Sequence, residues 1–179
     1  MNDHGAGEAD PEKDALLAAL DGQRGHILSM LDGLDEQQLR RSVLPSGWHS
    51  LGLVRHLTGV EDYWFRRSAN GETTGTAASS GDSITTGGNE ADDWAVPEHH
   101  PADTVVDRYR RAAARSNEII EATSLDAPPK WRDPEWRDWG MDVRDLRTIL
   151  IHVLVETSIH AGHLDATREL IDGRQWVVL

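Results

Sequence analysis

The sequence predicts an all-α protein, a four-helix bundle with a long crossover between its second and third helices. Three observations carry this expectation. Four stretches repeat apolar residues at helical spacing, no stretch alternates as a strand would, and one long polar run spans residues 71–100.

The first helix is expected to begin at Pro11 with Asp10 as its N-cap, since proline lacks a donor that would be unpaired there anyway. Leu16, Leu17, Leu20, Ile27, Leu28 and Leu31 form its apolar stripe, interrupted by a polar gap and ending near Gly33. A second helix follows the turn-forming Pro45-Ser46-Gly47. It starts around Ser50, carries Leu53, Val54, Leu57, Val60 and Trp64, and fades at Asn70-Gly71. Residues 71–100 are rich in Gly, Ser, Thr and acid, with almost nothing to bury. Loops of that length are uncommon inside compact domains, but in a bundle they can join two helices that run the same way. The pattern restarts at Pro101, and Val105, Val106, Tyr109, Ala112, Ala113, Ser116, Ile119 and Ile120 mark a third helix to about Thr123. A loop with Trp131, Trp136 and Trp139 leads to the fourth helix. That helix is expected to take Asp142 as N-cap, run through Leu146, Ile149, Leu150, Val153, Thr157, Ala161 and Leu164, and stop at Gly173, a favoured C′ residue. Residues 1–10 read as a flexible N-terminus and 11–179 as one domain.

Acidic residues outnumber basic ones 31 to 18, for a formal charge of −13. Such a surface repels phosphate backbones and anionic membranes, so nucleic acid is not an expected partner. There is no cysteine, which removes disulfides, thiolate ligands and a cysteine nucleophile together. No basic start with an apolar core marks a signal peptide, and no run approaches the roughly 18 apolar residues of a membrane span. A soluble, cytoplasmic protein is the expectation.

Histidine carries the chemical signal. His4, His99 and His100 lie in the terminus and the loop, and His26 reads as a solvated rim residue of the first helix. In the fourth helix, Glu156 and His160 are four residues apart, so they differ by roughly 40° in azimuth and 6 Å in rise. Both fall on or beside the apolar stripe, where a carboxylate costs several kcal/mol unless it is paired or binds a metal. The ordinary alternative is a structural Glu–His hydrogen bond within the helix. His152 and His163 are close in azimuth, so any contiguous pair among the four could serve. A third ligand from another helix is His56, flanked by core residues. His49, just outside that helix, competes but suits a cap better. Spacing alone leaves these choices open.

The segments SGWHSLGLVRHLTGVEDYWF (46–65) and LRTILIHVLVETSIHAGHLDATRELIDG (146–173) resemble the DinB-like superfamily. They are most similar to its branch of mycothiol-dependent maleylpyruvate isomerases and mycothiol S-transferases. The resemblance implies a bundle with an up-down-down-up course and one divalent metal. By position, His56 in VRHL and Glu156 and His160 in ETSIHAGH would be the metal ligands. His163 would neighbour the site and His152 would stand behind the ligands; the expected catalytic proton relay is His163 or a metal-bound water. The implied metal is Zn2+, with Ni2+, Fe2+ or Mn2+ compatible with the same donors. The implied partners are a low-molecular-weight thiol, mycothiol in the nearest branch, and a small electrophile. Isomerase relatives carry an extra C-terminal domain beyond the fourth helix, whereas this sequence ends at Leu179, which favours the stand-alone transferase branch.

With three protein ligands the site has the open position of a catalytic metal. A chain without cysteine needs any thiolate to arrive on a cosubstrate. The competing expectations are a metal-dependent hydrolase and a non-catalytic metal-binding or thiol-sensing bundle. Trp136 and Trp139 are candidates to cover the site mouth, Arg168 and Arg174 to hold an anion, and Trp176–Leu179 to pack on the bundle or in a homodimer.

Overall fold

The computed structural model describes residues 10–72 and 94–176. All regular structure among them is helical. The expected flexible N-terminus and the middle of the 71–100 crossover lie outside the described residues.

Helix α1 (Pro11–Ser29) opens as expected, with the Asp10 carboxylate accepting from the backbone N–H groups of Glu12 and Lys13. Its polar gap is not solvated. Arg24 is buried between Leu20 and Ile27, and its Nε and Nη2 donate to the two carboxylate oxygens of Glu61 at 2.8 and 2.6 Å. A short helix, α2 (Glu36–Leu39), follows a capping box in which Asp35 and Gln38 satisfy each other's backbone N–H groups. The sequence reading had no element there.

Helix α3 (Ser50–Glu61) is capped by His49, whose Nδ1 accepts from the Gly52 N–H at 3.1 Å. That is the cap role its position suggested. The helix then opens into a π-helical segment, Asp62–Ala69, and ends at Asn70 where expected. The wider turn was not anticipated. Helix α4 (Ala102–Ala122) buries Val105, Tyr109, Ala112, Ser116, Ile119 and Ile120, the face drawn from periodicity.

The 130–141 loop is tied to the π segment. The Trp131 N–H donates to the Ser68 carbonyl at 3.1 Å, and the Arg67 guanidinium lies 3.7 Å from the Trp131 ring centroid. Tyr63 Oη donates to Asp133 at 2.7 Å and accepts from Trp136 Nε1 at 2.9 Å. A 3₁₀ turn, Pro134–Arg137, buries Trp136 against Trp64, the rings stacked at 5.4 Å.

Helix α5 (Leu146–Asp172) ends at Gly173, whose φ of 78° is the left-handed conformation that favours glycine. Its N-cap is Asp145, not Asp142. One Asp145 oxygen accepts from both the N–H and the hydroxyl of Thr148, at 2.8 and 2.7 Å, whereas Asp142 is exposed. Arg168 is buried and donates to the carbonyls of Met30 and Asp32, closing the end of α1. It is therefore a structural cap rather than an anion site, and Arg174 reaches the same Asp32 carbonyl at 3.3 Å.

The long helices pack α1 on α5, α3 on α4 and α3 on α5. Leu20, Ile27, Leu53, Leu57, Ile120, Ile149 and Val153 share one core.

Candidate metal centre

The α3 turn that buries Leu53, Val54 and Leu57 turns His56 towards α5, half-exposed at the edge of the core. On α5 the same logic applies to Glu156 and His160, which flank the buried Val153, Thr157 and Leu164. Among the described residues, His56, Glu156 and His160 form a group in which one donor atom from each lies within 4.8 Å of the others. His56 Nε2 is 3.2 Å from Glu156 Oε1, and His160 Nε2 is 3.9 Å from the same oxygen. Tetrahedral ligation at about 2.1 Å sets donor atoms roughly 3.4 Å apart, so these separations suit one shared cation. The buried Nδ1 of His160 has no hydrogen-bond partner among the described residues.

The protonation states also suit a cation. Burial pushes the Glu156 carboxyl up, but hydrogen bonds from His152 and His56 outweigh it and hold the group at about 2. Burial and the neighbouring His56 push His160 from 6.5 down to about 4, against the pull of Glu156. A carboxylate and a neutral imidazole are the forms that bind metal, and both exist at neutral pH before any ion arrives.

His152 stands behind the cluster. Its Nε2 lies 3.2 Å from Glu156 Oε2, the oxygen turned away from His56, so the two carboxylate oxygens have separate partners. Outer hydrogen bonds of this kind fix a ligand's orientation. The ring leans on Trp64 at 4.5 Å. His163 is exposed on α5 with its ring 5.7 Å from that of His160. His26, read as a solvated or rim histidine, is part-exposed and sits 2.7 Å from Asp165.

Other aromatic residues at the site were missed from sequence. Trp94 stacks on His56 with ring centroids 4.4 Å apart and planes 10° from parallel. Its carbonyl rests on Gly52, where a Cβ would meet that oxygen at 2.5 Å. The residue closes a stretch whose composition says loop, and only the glycine in α3 hints at a close approach. On the other side of the cluster lies a cavity of about 290 Å³ lined by Arg55, His56, Gly59, Val60, Tyr63, Trp64, Trp139, Met141, His152 and Glu156. Trp139 is half exposed at this cavity, while Trp136 is packed beneath it. One of the two tryptophans thus borders the site and the other supports the wall.

The fold and the cluster define an all-helical protein in which a His–Glu–His group could hold a metal ion beside an apolar cavity. The sequence model of the mycothiol-S-transferase family matches residues 15–173, and the chain belongs to that DinB-like family. No curated protein matches the chain significantly. No helix among the described residues is long and apolar enough to cross a membrane.

Proposed function

We propose that the chain is a divalent-metal-dependent thiol S-transferase that joins a low-molecular-weight thiol, mycothiol by family, to a small electrophile. The observation that carries this reading is the three-donor cluster of His56, Glu156 and His160 opening beside a cavity. Three donors leave a position for an exogenous ligand, the layout of a catalytic site. Zn2+ is the metal we favour, with Ni2+, Fe2+ and Mn2+ compatible with the same donors. When bound, the ion would act as a Lewis acid that lowers the pKa of a coordinated thiol towards neutrality.

The chain's own residues do the rest. His152 and His56 keep Glu156 ionised, so the cluster carries a negative charge that offsets a divalent cation. His163 is the residue we assign to accept the thiol proton at the solvent edge. Sulfur then forms a bond to the electrophilic carbon. The displaced electron pair leaves with a leaving group, or moves to a neighbouring carbon that takes up a proton. A reduced thiol pool would place this reaction in the cytoplasm.

An up-down-down-up course belongs to the same proposal. Glu12 pairs with Arg147 and His26 with Asp165, which supports parallel α1 and α5. His56 meets Glu156 while Trp64 meets His152, which supports α3 antiparallel to α5. Asn117 reaches Asp21 and Lys13 reaches the Glu121 carbonyl, which supports α4 antiparallel to α1. The crossover would then join two helices running the same way.

Elemental analysis of the native protein beside His56→Ala and His160→Ala tests the site, and near-stoichiometric metal in either variant contradicts it. Conjugation of a chlorobimane with mycothiol, with other thiols and with none tests the activity. Metal-loaded protein that leaves every thiol rate unchanged refutes the transferase reading.

A further inference from the structure

We propose that the cavity beside the His56–Glu156–His160 cluster is the electrophile's site, and that it selects a small unsaturated molecule carrying a carboxylate held by Arg55. The proposal deepens the transferase reading and rests on it. Its walls are set by Val60, Trp64, Trp139 and Met141, which offer flat or pliable apolar surface. A volume of about 290 Å³ is at the small end of ligand sites. The occupant is therefore compact, and a planar π system matches the indole faces.

Arg55 supplies the polar determinant. It lines the same cavity and is half-buried, yet no carboxylate pairs with it among the described residues. That is unusual in a chain with 31 acidic and 18 basic residues. Arg24, Arg66, Arg147 and Arg168 all find carboxylates. Arg67, half-buried and also without one, lies over the Trp131 ring instead, and Arg41, Arg111, Arg132, Arg137 and Arg174, likewise without one, are exposed. A half-buried guanidinium at an otherwise apolar hollow is arranged to take a planar anion through paired N–H donors. The Glu156 charge on the same cavity is already engaged by His56 and His152, so it opposes an anion less than a free carboxylate would. The ligand's carboxylate then sits at Arg55, with its unsaturated carbon towards the cluster.

The test is calorimetric binding of trans-cinnamate and its neutral isostere trans-cinnamamide to the metal-loaded full chain, with no thiol present. We expect cinnamate to bind at least tenfold tighter. Arg55→Gln should bring the two within threefold while leaving cinnamamide affinity unchanged, and Val60→Trp should weaken both at least tenfold by filling the cavity. Equal affinities in the parent protein overturn the proposal, as does failure of both probes to bind. A cinnamate preference that survives Arg55→Gln also overturns it, because the anion would then sit on the cluster. Since no turnover is read, loss of the transferase activity and loss of this selectivity are seen separately.

Discussion

Replacing Glu61 with leucine removes the carboxylate that neutralises a buried arginine. Arg24 and Glu61 have side chains only 4% and 2% exposed, and they meet through two hydrogen bonds of 2.8 and 2.6 Å. Breaking a buried pair from one side costs about 3–5 kcal/mol, because the remaining charge stays buried without compensation. Here the lower end applies. Arg24 Nη1 keeps Asp21 at 2.8 Å and Asn117 at 2.6 Å, and Asp21 is half exposed. A loss of about 3 kcal/mol lowers Tm by roughly 6–12 °C in a chain of this size. The assay is urea unfolding followed by helical circular dichroism at neutral pH. Arg24→Leu alone should cost a similar amount, since it strands Glu61. The double variant Arg24→Leu/Glu61→Leu should return to within about 1 kcal/mol of the parent, giving a coupling of about 5 kcal/mol. A loss below about 1 kcal/mol for Glu61→Leu, or a double variant as unstable as the sum of the singles, would refute the reasoning.

Three further outcomes are expected. Metal-free protein should lose stability as pH falls from 6.5 towards 4, because unfolded His160 binds a proton near 6.5 and the folded residue only near 4. A second loss follows between 4.5 and 2 as Glu156 is forced to protonate, each step being on the order of 3 kcal/mol. His160→Ala should flatten the upper step in a pH series of thermal melts, and an unchanged slope would count against it. His152→Ala frees Glu156 Oε2 and should weaken Zn2+ binding about 10- to 100-fold in a competitive chelator titration, whereas unchanged affinity would deny the residue an orienting role. Gly52→Ala gains about 1 kcal/mol of helix propensity but places a methyl 2.5 Å from the Trp94 carbonyl. Trp94 should therefore be pushed off His56, with weaker metal binding and no net gain in melting temperature; a more stable variant with full affinity would show that the contact gives way freely.

The parts of this molecule that obey short local rules were legible in the sequence. Asp10 before Pro11 and Gly173 after α5 act within a few residues of themselves, and both cap as expected. Helical pitch put Glu156 and His160 on one face together with His152 and His163, and His56 beside core residues; the family resemblance, not the spacing, picked His56, Glu156 and His160 from these. Asp145 was missed because Asp142 stands three residues earlier with the same chemistry. The Thr148 hydroxyl, which favours the later one, is a detail of side-chain geometry. Arg24 read as a polar gap, since nothing near it in the chain announces Glu61, thirty-seven residues away. Arg55 and Trp94 gain their roles only through tertiary placement, and their local neighbours look like ordinary surface or loop, whereas Trp139 was already a candidate for the site mouth.

The π-helical segment has a consequence for how the cavity wall came to exist. A π turn holds an additional residue in the axial length of an α turn, and one extra residue rotates everything after it by about 100°. In Asp62–Ala69 that rotation falls on Tyr63, Trp64 and Arg67, the side chains that grip the tryptophan loop. The segment thus has the form of a one-residue insertion in an α-helix. Removing one residue within it would let the α ladder close again while swinging the aromatic wall away from the cluster. A site for new molecules could in this way be gained or lost by a single codon, leaving His56, nearly two turns upstream, where it was.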